Sequence, residues 1–223
     1  MGNQLNRDMS GVPEDLKRLR VEYAELNRLA MLSHLDILRF LELVVRRAEL
    51  PYAITHGFSP RMRIAYGAAL PVGIGGLHEI FDIYLTEEVP ESEVLEALRR
   101  ATVPDMPMLA CEYIDRRATA ASVAFPFSTY EATLSGPVVG LSVPEELRIV
   151  RASKKKKDDK VLRPAEFLVG GIVAEENALR FTLEAKPSGS LRPDALVRAM
   201  ISEREDLRIQ RFMRVALHSS RPA

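Results

Sequence analysis

The run LSHLDILRFLELVVRRAELP, Leu32 to Pro51, decides how the rest of the chain is read. Ser33 is a good N-cap and Asp36 follows at capping-box spacing, with Leu32 and Ile37 at the two positions of a hydrophobic staple. Ile37, Leu38, Leu41, Val44, Val45 and Ala48 then recur on a helical stripe until Pro51 stops it. The spacing predicts an amphipathic helix that must bury its stripe against another element. Just upstream, RLRVEY (Arg18 to Tyr23) alternates, with Leu19, Val21 and Tyr23 on one face, which predicts a half-buried strand.

Downstream, Met62, Ile64 and Tyr66 alternate with Arg61, Arg63 and Ala65, a second strand. LPVGIGGLH turns the chain, and EIFDIYL sets Phe81, Ile83 and Leu85 opposite Asp82 and Tyr84, so the two runs read as a hairpin. PESEVLEALRRA carries Val94, Leu95, Ala97, Leu98 and Ala101 as a short amphipathic helix, and MLACEYI closes the series as a strand. Strand, helix, strand, strand, helix, strand is the split βαβ, or ferredoxin-like, order.

The order repeats. STYEATL, the hairpin FLVGGIV and LRFTLEA across AEENA, a helix in RPDALVRAMISERED with Pro193 near its first turn, and the strand RIQRFMRVALH follow in turn. SVPEELRIVRAS is ambiguous: Ser142 and Pro144 favour a helix start, while RIVRAS has strand character. The expected fold class is α+β: two tandem ferredoxin-like (βαββαβ) units with antiparallel sheets, the second unit's first helix left open. A polar tail over residues 1–17 precedes one unit at 18–118 and another at 126–219.

Composition narrows the function classes. The chain has 223 residues, 47% hydrophobic and 28% charged, with 31 basic and 31 acidic side chains. No global positive field exists, so any polyanion site is a local patch. One cysteine, Cys111, excludes an internal disulfide and a cysteine-held cluster within one chain. No apolar run approaches the ~18 residues of a membrane span, and no hydrophobic leader precedes the first strand. A cytoplasmic protein without cofactor or metal is expected.

The candidate site lies in THGFSPRMRIAYGAALPVGIGG, Thr55 to Gly76. GFSP is turn chemistry, because Gly57 can take positive φ and Pro60 biases Ser59 toward extended geometry. The same stretch offers His56, Ser59, Arg61 and Arg63, and ends in Gly73, Gly75 and Gly76. Arginines two apart on a strand share a face, and free backbone N–H groups at a glycine turn suit phosphate. No Walker or dinucleotide glycine pattern is present. Further candidates for RNA or anion contacts are Lys154, Lys155, Lys156 and Lys157 in SKKKKDDK, Arg163 and Arg192 before prolines, and Arg208 and Arg214 on the last strand. There Arg208, Gln210, Phe212 and Arg214 are expected to share an open face, an aromatic interleaved with arginines as in sheet-based RNA binders. His34 and Asp36 flank the first helix start. Capping explains Asp36, His34 could meet an anion there, and a metal held by His34, Asp36 and His56 has no spacing to enforce it.

LAMLSHLDILRFLELVVRRAELP, GFSPRMRIAYGAALPVG, VLRP and GSLRPDAL, in that order, resemble the radical SAM-linked protein family, the uncharacterised DUF2344 domain. The resemblance runs from about Leu19 to Leu217 and weakens at Ser135 to Ser153, where a longer helix would be expected. It implies an association with B12-binding radical SAM proteins, and with genes for ribonuclease E/G-type and ribosomal proteins. With one cysteine the chain cannot hold a radical SAM cluster itself, so in such chemistry it would be the partner.

Three readings stay open. One is a non-catalytic RNA-binding or substrate-presenting partner of a radical SAM enzyme or ribonuclease, contacting tRNA or rRNA through Arg61, Arg63 and the lysine run. The second is a protein–protein adaptor without RNA contact. The third is an RNA-processing enzyme using His56 or His34 in acid–base work.

Overall fold

The computed structural model describes residues 13, 15–150, 159–187 and 189–222. Two compact units divide the chain, residues 1–124 and 125–223. The first runs β1 (Lys17–Glu25), α1 (His34–Arg47), β2 (Ile64–Tyr66), β3 (Gly75–Leu85), α2 (Glu91–Ala101) and β4 (Met108–Tyr113). A one-turn helix, α3 (Ala121–Ala124), follows and was not legible in the sequence. β1 pairs with β3 and β4, and β2 with β3, all antiparallel. The strand order β4-β1-β3-β2 is that of the ferredoxin-like arrangement.

Sequence dictates why these elements meet. Ser33 caps α1, its hydroxyl accepting from the Asp36 N–H at 3.3 Å and donating to Asp36 Oδ2 at 2.6 Å. The α1 stripe of Ile37, Leu41, Val44 and Val45 joins Val94 and Leu98 of α2 over Leu19, Val21, Phe81 and Ile83 of the sheet. Tyr23 meets Phe81 edge to face, ring centres 5.7 Å apart. Val94 and Leu98 are wholly buried, worth about 1.5–3 kcal/mol each by removal from water.

β1 departs from the half-buried strand its alternation predicts, because Arg18 on its polar side is buried and Arg20 is largely so. Arg18 and Asp82 are both wholly enclosed, 2.6 Å apart, and Arg20 grips the same carboxylate at 2.8 and 3.0 Å. Arg18 also donates to the carbonyls of Arg116, Ala118 and Thr119, holding the segment before α3 against this side of the sheet. α3 itself rests near β2 and β3.

β4 forms the sheet's edge, and α2 covers that edge. Arg99 donates to the carbonyls of Met108 and Leu109 at 2.9 Å each, and Glu91 accepts from the Tyr113 N–H at 2.8 Å. The Tyr113 hydroxyl exchanges hydrogen bonds with the Val89 carbonyl and N–H.

The second unit runs β5 (Phe127–Leu134), β6 (Leu147–Val150), β7 (Asp159–Leu162), β8 (Leu168–Glu175), β9 (Ala178–Glu184), α4 (Pro193–Met200) and β10 (Ile209–His218). Its strands pair antiparallel in the order β10-β5-β9-β8. β6 and β7 form a separate antiparallel pair in the chain position of a first helix, and β6 touches α4. The strand reading of RIVRAS therefore holds for Arg148 to Val150, its last three residues lying outside the described residues, and no α-helix lies between β5 and β8 among the described residues, only a 3-10 turn at Pro164–Glu166. α4 is shorter than the periodicity predicts and ends at Met200, where Ile201 leaves helical geometry. Arg204 then binds Asp206 at 2.8 and 2.7 Å and the Val139 carbonyl at 3.1 Å, fixing a turn where a helix would have continued.

β10 corrects the expected open face. A bulge between Ile209 and Arg211 shifts parity, so Gln210 falls out of step, and Arg208 lies before the strand. Phe212 and Arg214 do share a side, but it is a buried one. Phe212 packs with Tyr130 and Phe181, ring centres 6.2 and 6.3 Å away, so its ring is no platform for a base.

Candidate functional site

The residues 53–66 form a finger laid along β3. The Ala53 N–H donates to the Tyr84 carbonyl at 2.7 Å, the Arg63 N–H to Ala53 at 2.7 Å, and the Tyr84 N–H to Arg63 at 3.2 Å. Ile54 bridges Met62, whose side chain is buried in the core. The finger is closed by two bonds at one level: the Thr55 N–H donates to the Arg61 carbonyl at 2.8 Å, and the Arg61 N–H donates to Thr55 Oγ1 at 3.0 Å. Beyond that clasp His56, Gly57, Phe58, Ser59 and Pro60 are exposed. Gly57 takes φ +137°, which admits glycine readily and turns the tip.

Arg61 is exposed, with no side-chain partner among the described residues. Arg63 is half-buried, and its Nε is buried without a hydrogen-bond partner. Arg63 stands near Tyr84, whose hydroxyl burial pushes up in pKa while the charges of Arg18 and Arg63 pull it down. The Arg18 guanidinium lies 5.8 Å from the Tyr84 ring centre. His56, Ser59 and Arg61 therefore share one clasped tip, and Arg63 lies at its root.

The glycines do other work. Gly73 has φ +92° and its N–H donates to the Ala30 carbonyl at 2.7 Å, so it is not free for an anion. Gly75 and Gly76 are buried at the start of β3, and a Cβ on Gly76 would collide with the Glu79 side chain. The turn is built for packing.

A small pocket of about 10 Å³, room for one water, opens between β1, α1 and the segment after β2. His34, Glu25, Glu79 and Tyr66 line it. Tyr66 donates to Glu42 at 3.1 Å, and burial together with that carboxylate raises its pKa far above the usual tyrosine value. Among the described residues no cluster of three or more His, Cys, Asp or Glu is arranged to hold a metal. A wider hollow of about 330 Å³ lies at the end of α2, beside Val103, Pro104 and Pro107.

The remaining candidates are on the second unit. Arg192 is bound by Asp194 at 3.0 and 2.8 Å, and Arg163 lies 3.6 Å from Glu146. Arg208 donates to the carbonyls of Glu205 and Leu207 at 2.6 and 2.7 Å. Arg214 is buried. Lys154, Lys155, Lys156 and Lys157 lie outside the described residues. The sequence reading passed over Phe58, wholly exposed at the tip. Its signal was present, since an aromatic between Gly57 and Ser59-Pro60 belongs to no apolar alternation.

The fold and this finger define a class: an α+β protein of two units built on antiparallel strands, with a clasped basic loop on the first. The chain belongs to the DUF2344 family, described as uncharacterized proteins conserved in bacteria, whose pattern matches residues 18–193. No curated protein matches it. Among the described residues no helix is long and apolar enough to cross a membrane.

Proposed function

We propose that this chain is a non-catalytic RNA-binding protein, working in the cytoplasm, that presents its RNA, a tRNA or rRNA, to a radical SAM enzyme or ribonuclease. One observation carries the reading: Arg61 projects from a clasped finger without a side-chain partner among the described residues, with the Arg63 Nε, likewise unpartnered among them, at its root. Guanidinium groups held on a fixed backbone suit phosphate oxygens, which they bind bidentately. The surrounding sequence favours an anion, since no Asp or Glu occurs between Glu49 and Glu79. In a chain of zero net charge this makes the finger a local basic patch.

The test is a salt titration of binding to total tRNA and rRNA fragments, wild type beside Arg61→Ala and Arg61→Lys. Affinity falling by several log units per log unit of salt, with a shallower slope for Arg61→Ala, supports the reading. No binding at ~50 mM salt, where phosphate contacts are strong, sinks it.

A second reading, the protein–protein adaptor, is favoured by exposed apolar residues around the start of α1. Met31, Leu32, Leu35 and Val72 are all exposed, and the Gly73–Ala30 bond brings the segment of Val72 beside that of Met31. Retention of a protein partner by wild type but not by Leu35→Asp, with no RNA bound, would favour it.

A further inference from the structure

The finger's tip carries a side chain that the fold does not use. Phe58 is wholly exposed, so its ring contributes nothing to stability by burial. The tip is nonetheless a short loop closed at its base by the Thr55–Arg61 clasp, and Pro60 restricts the backbone within it. A ring presented on a short closed loop gives up less freedom on finding a flat partner than one on an open chain. The neighbours are His56 and Arg61, both exposed, and no carboxylate lies within the finger. An apolar protein pocket would account for the ring but not for the uniformly basic or neutral surroundings. A nucleobase beside its own phosphate accounts for both.

We propose that Phe58 stacks on an unpaired base while Arg61 holds an adjoining phosphate, so that the finger takes single-stranded or bulged RNA in preference to duplex. The inference rests on the RNA reading above and narrows it to the substrate's strandedness. In duplex RNA the bases are stacked on each other and offer no free face, whereas loops and bulges can splay a base onto an aromatic. Stacking tolerates any base, so preference follows strandedness and little follows sequence.

The chain has no tryptophan, which makes the test direct. Phe58→Trp introduces a single reporter whose emission a stacked base quenches. Wild type, Phe58→Ala, Phe58→Trp and Arg61→Ala are titrated with a mixed-sequence 12-nucleotide RNA and with the same strand in a duplex. Expected are tighter binding of the single strand, on the order of tenfold weaker binding for Phe58→Ala with its salt slope unchanged, and quenching in Phe58→Trp. Arg61→Ala loses slope instead, which separates the two roles. Single-strand binding that Phe58→Ala leaves intact, or Phe58→Trp emission unmoved at saturation, overturns the stacking role while the RNA reading stands. Binding of neither probe overturns both. Loss in Phe58→Ala of a co-purifying protein, with RNA binding unaltered, assigns the ring to a protein pocket and overturns the inference.

Discussion

Arg18 Nη2 and Asp82 Oδ2 lie 2.6 Å apart with neither side chain reaching solvent, and Arg20 closes on the same carboxylate. One carboxylate thus compensates two guanidinium groups, the rest of Arg18 being satisfied by three backbone carbonyls.

Removing Asp82 should therefore cost more than an ordinary surface pair. Asp82→Ala is expected to destabilise the first unit by about 3–5 kcal/mol, because it strands a buried guanidinium. Replacing Arg18 and Asp82 together by Met and Leu should recover most of that loss. Urea unfolding of the three proteins checks both statements.

Two glycines should respond unequally to alanine. A Cβ on Gly67 would stand 2.7 Å from the Ile80 carbonyl oxygen, to which the Gly67 N–H is also bound. Gly67→Ala is expected to lose about 1–3 kcal/mol through overpacking. At Gly171 in β8 nothing lies within 4 Å, so Gly171→Ala should stay within about 0.5 kcal/mol of wild type. Thermal unfolding of the pair distinguishes them.

Asp206 gives a pH prediction. Its hydrogen bonds from Arg204 hold the carboxyl down to about 2 from the usual 3.8. A folded-state pKa below the unfolded one means that the stabilisation is present above 3.8 and is lost as pH falls through 2. Carboxyl-detected NMR titration should place the midpoint near 2 in wild type and move it upward in Arg204→Ala.

Cys111 should be a slow nucleophile. Burial first, and then the Glu91 charge, raise its pKa, and its Sγ lies 3.2 Å from the Glu91 carbonyl. Alkylation by iodoacetamide at pH 8 is expected to be slower in the folded chain than in urea, and to speed up as pH rises. Equal rates in both would contradict this.

Clasp removal is the fifth test. Thr55→Ala deletes the acceptor of the exposed Arg61 N–H. Hydrogen exchange at Arg61 should accelerate while the core amides of β3 keep their protection.

What the sequence made legible was what neighbours in the chain decide. The α1 cap at Ser33 and Asp36, its stripe, and the alternation of β3 are local patterns, and the order of elements followed from them. What escaped depended on partners far along the chain. The Arg18–Asp82 pair spans 64 positions, so the alternation of β1 could not reveal that Arg18 is enclosed. Phe212 looked like an open aromatic among arginines, but a single bulge in β10 and the rings of Tyr130 and Phe181 put it inside. α4 ended early because Arg204 turns back to Asp206 and Val139, although SERED is helix-compatible by composition. The finger was visible as turn chemistry and basic residues, and Phe58 as an aromatic outside any apolar alternation, while the clasp depends on Thr55 and Arg61 meeting across the turn.

The cover that α2 lays over β4 has a consequence for how copies of this protein meet. An unguarded outer strand invites any extended peptide to lengthen the sheet, and a second identical molecule is always the nearest such peptide. Here Arg99 already occupies two carbonyls and Glu91 one amide, so a newcomer would have to evict a guanidinium and a carboxylate before pairing. At that margin, lengthening of the sheet by a second copy is disfavoured by the side chains already bound there.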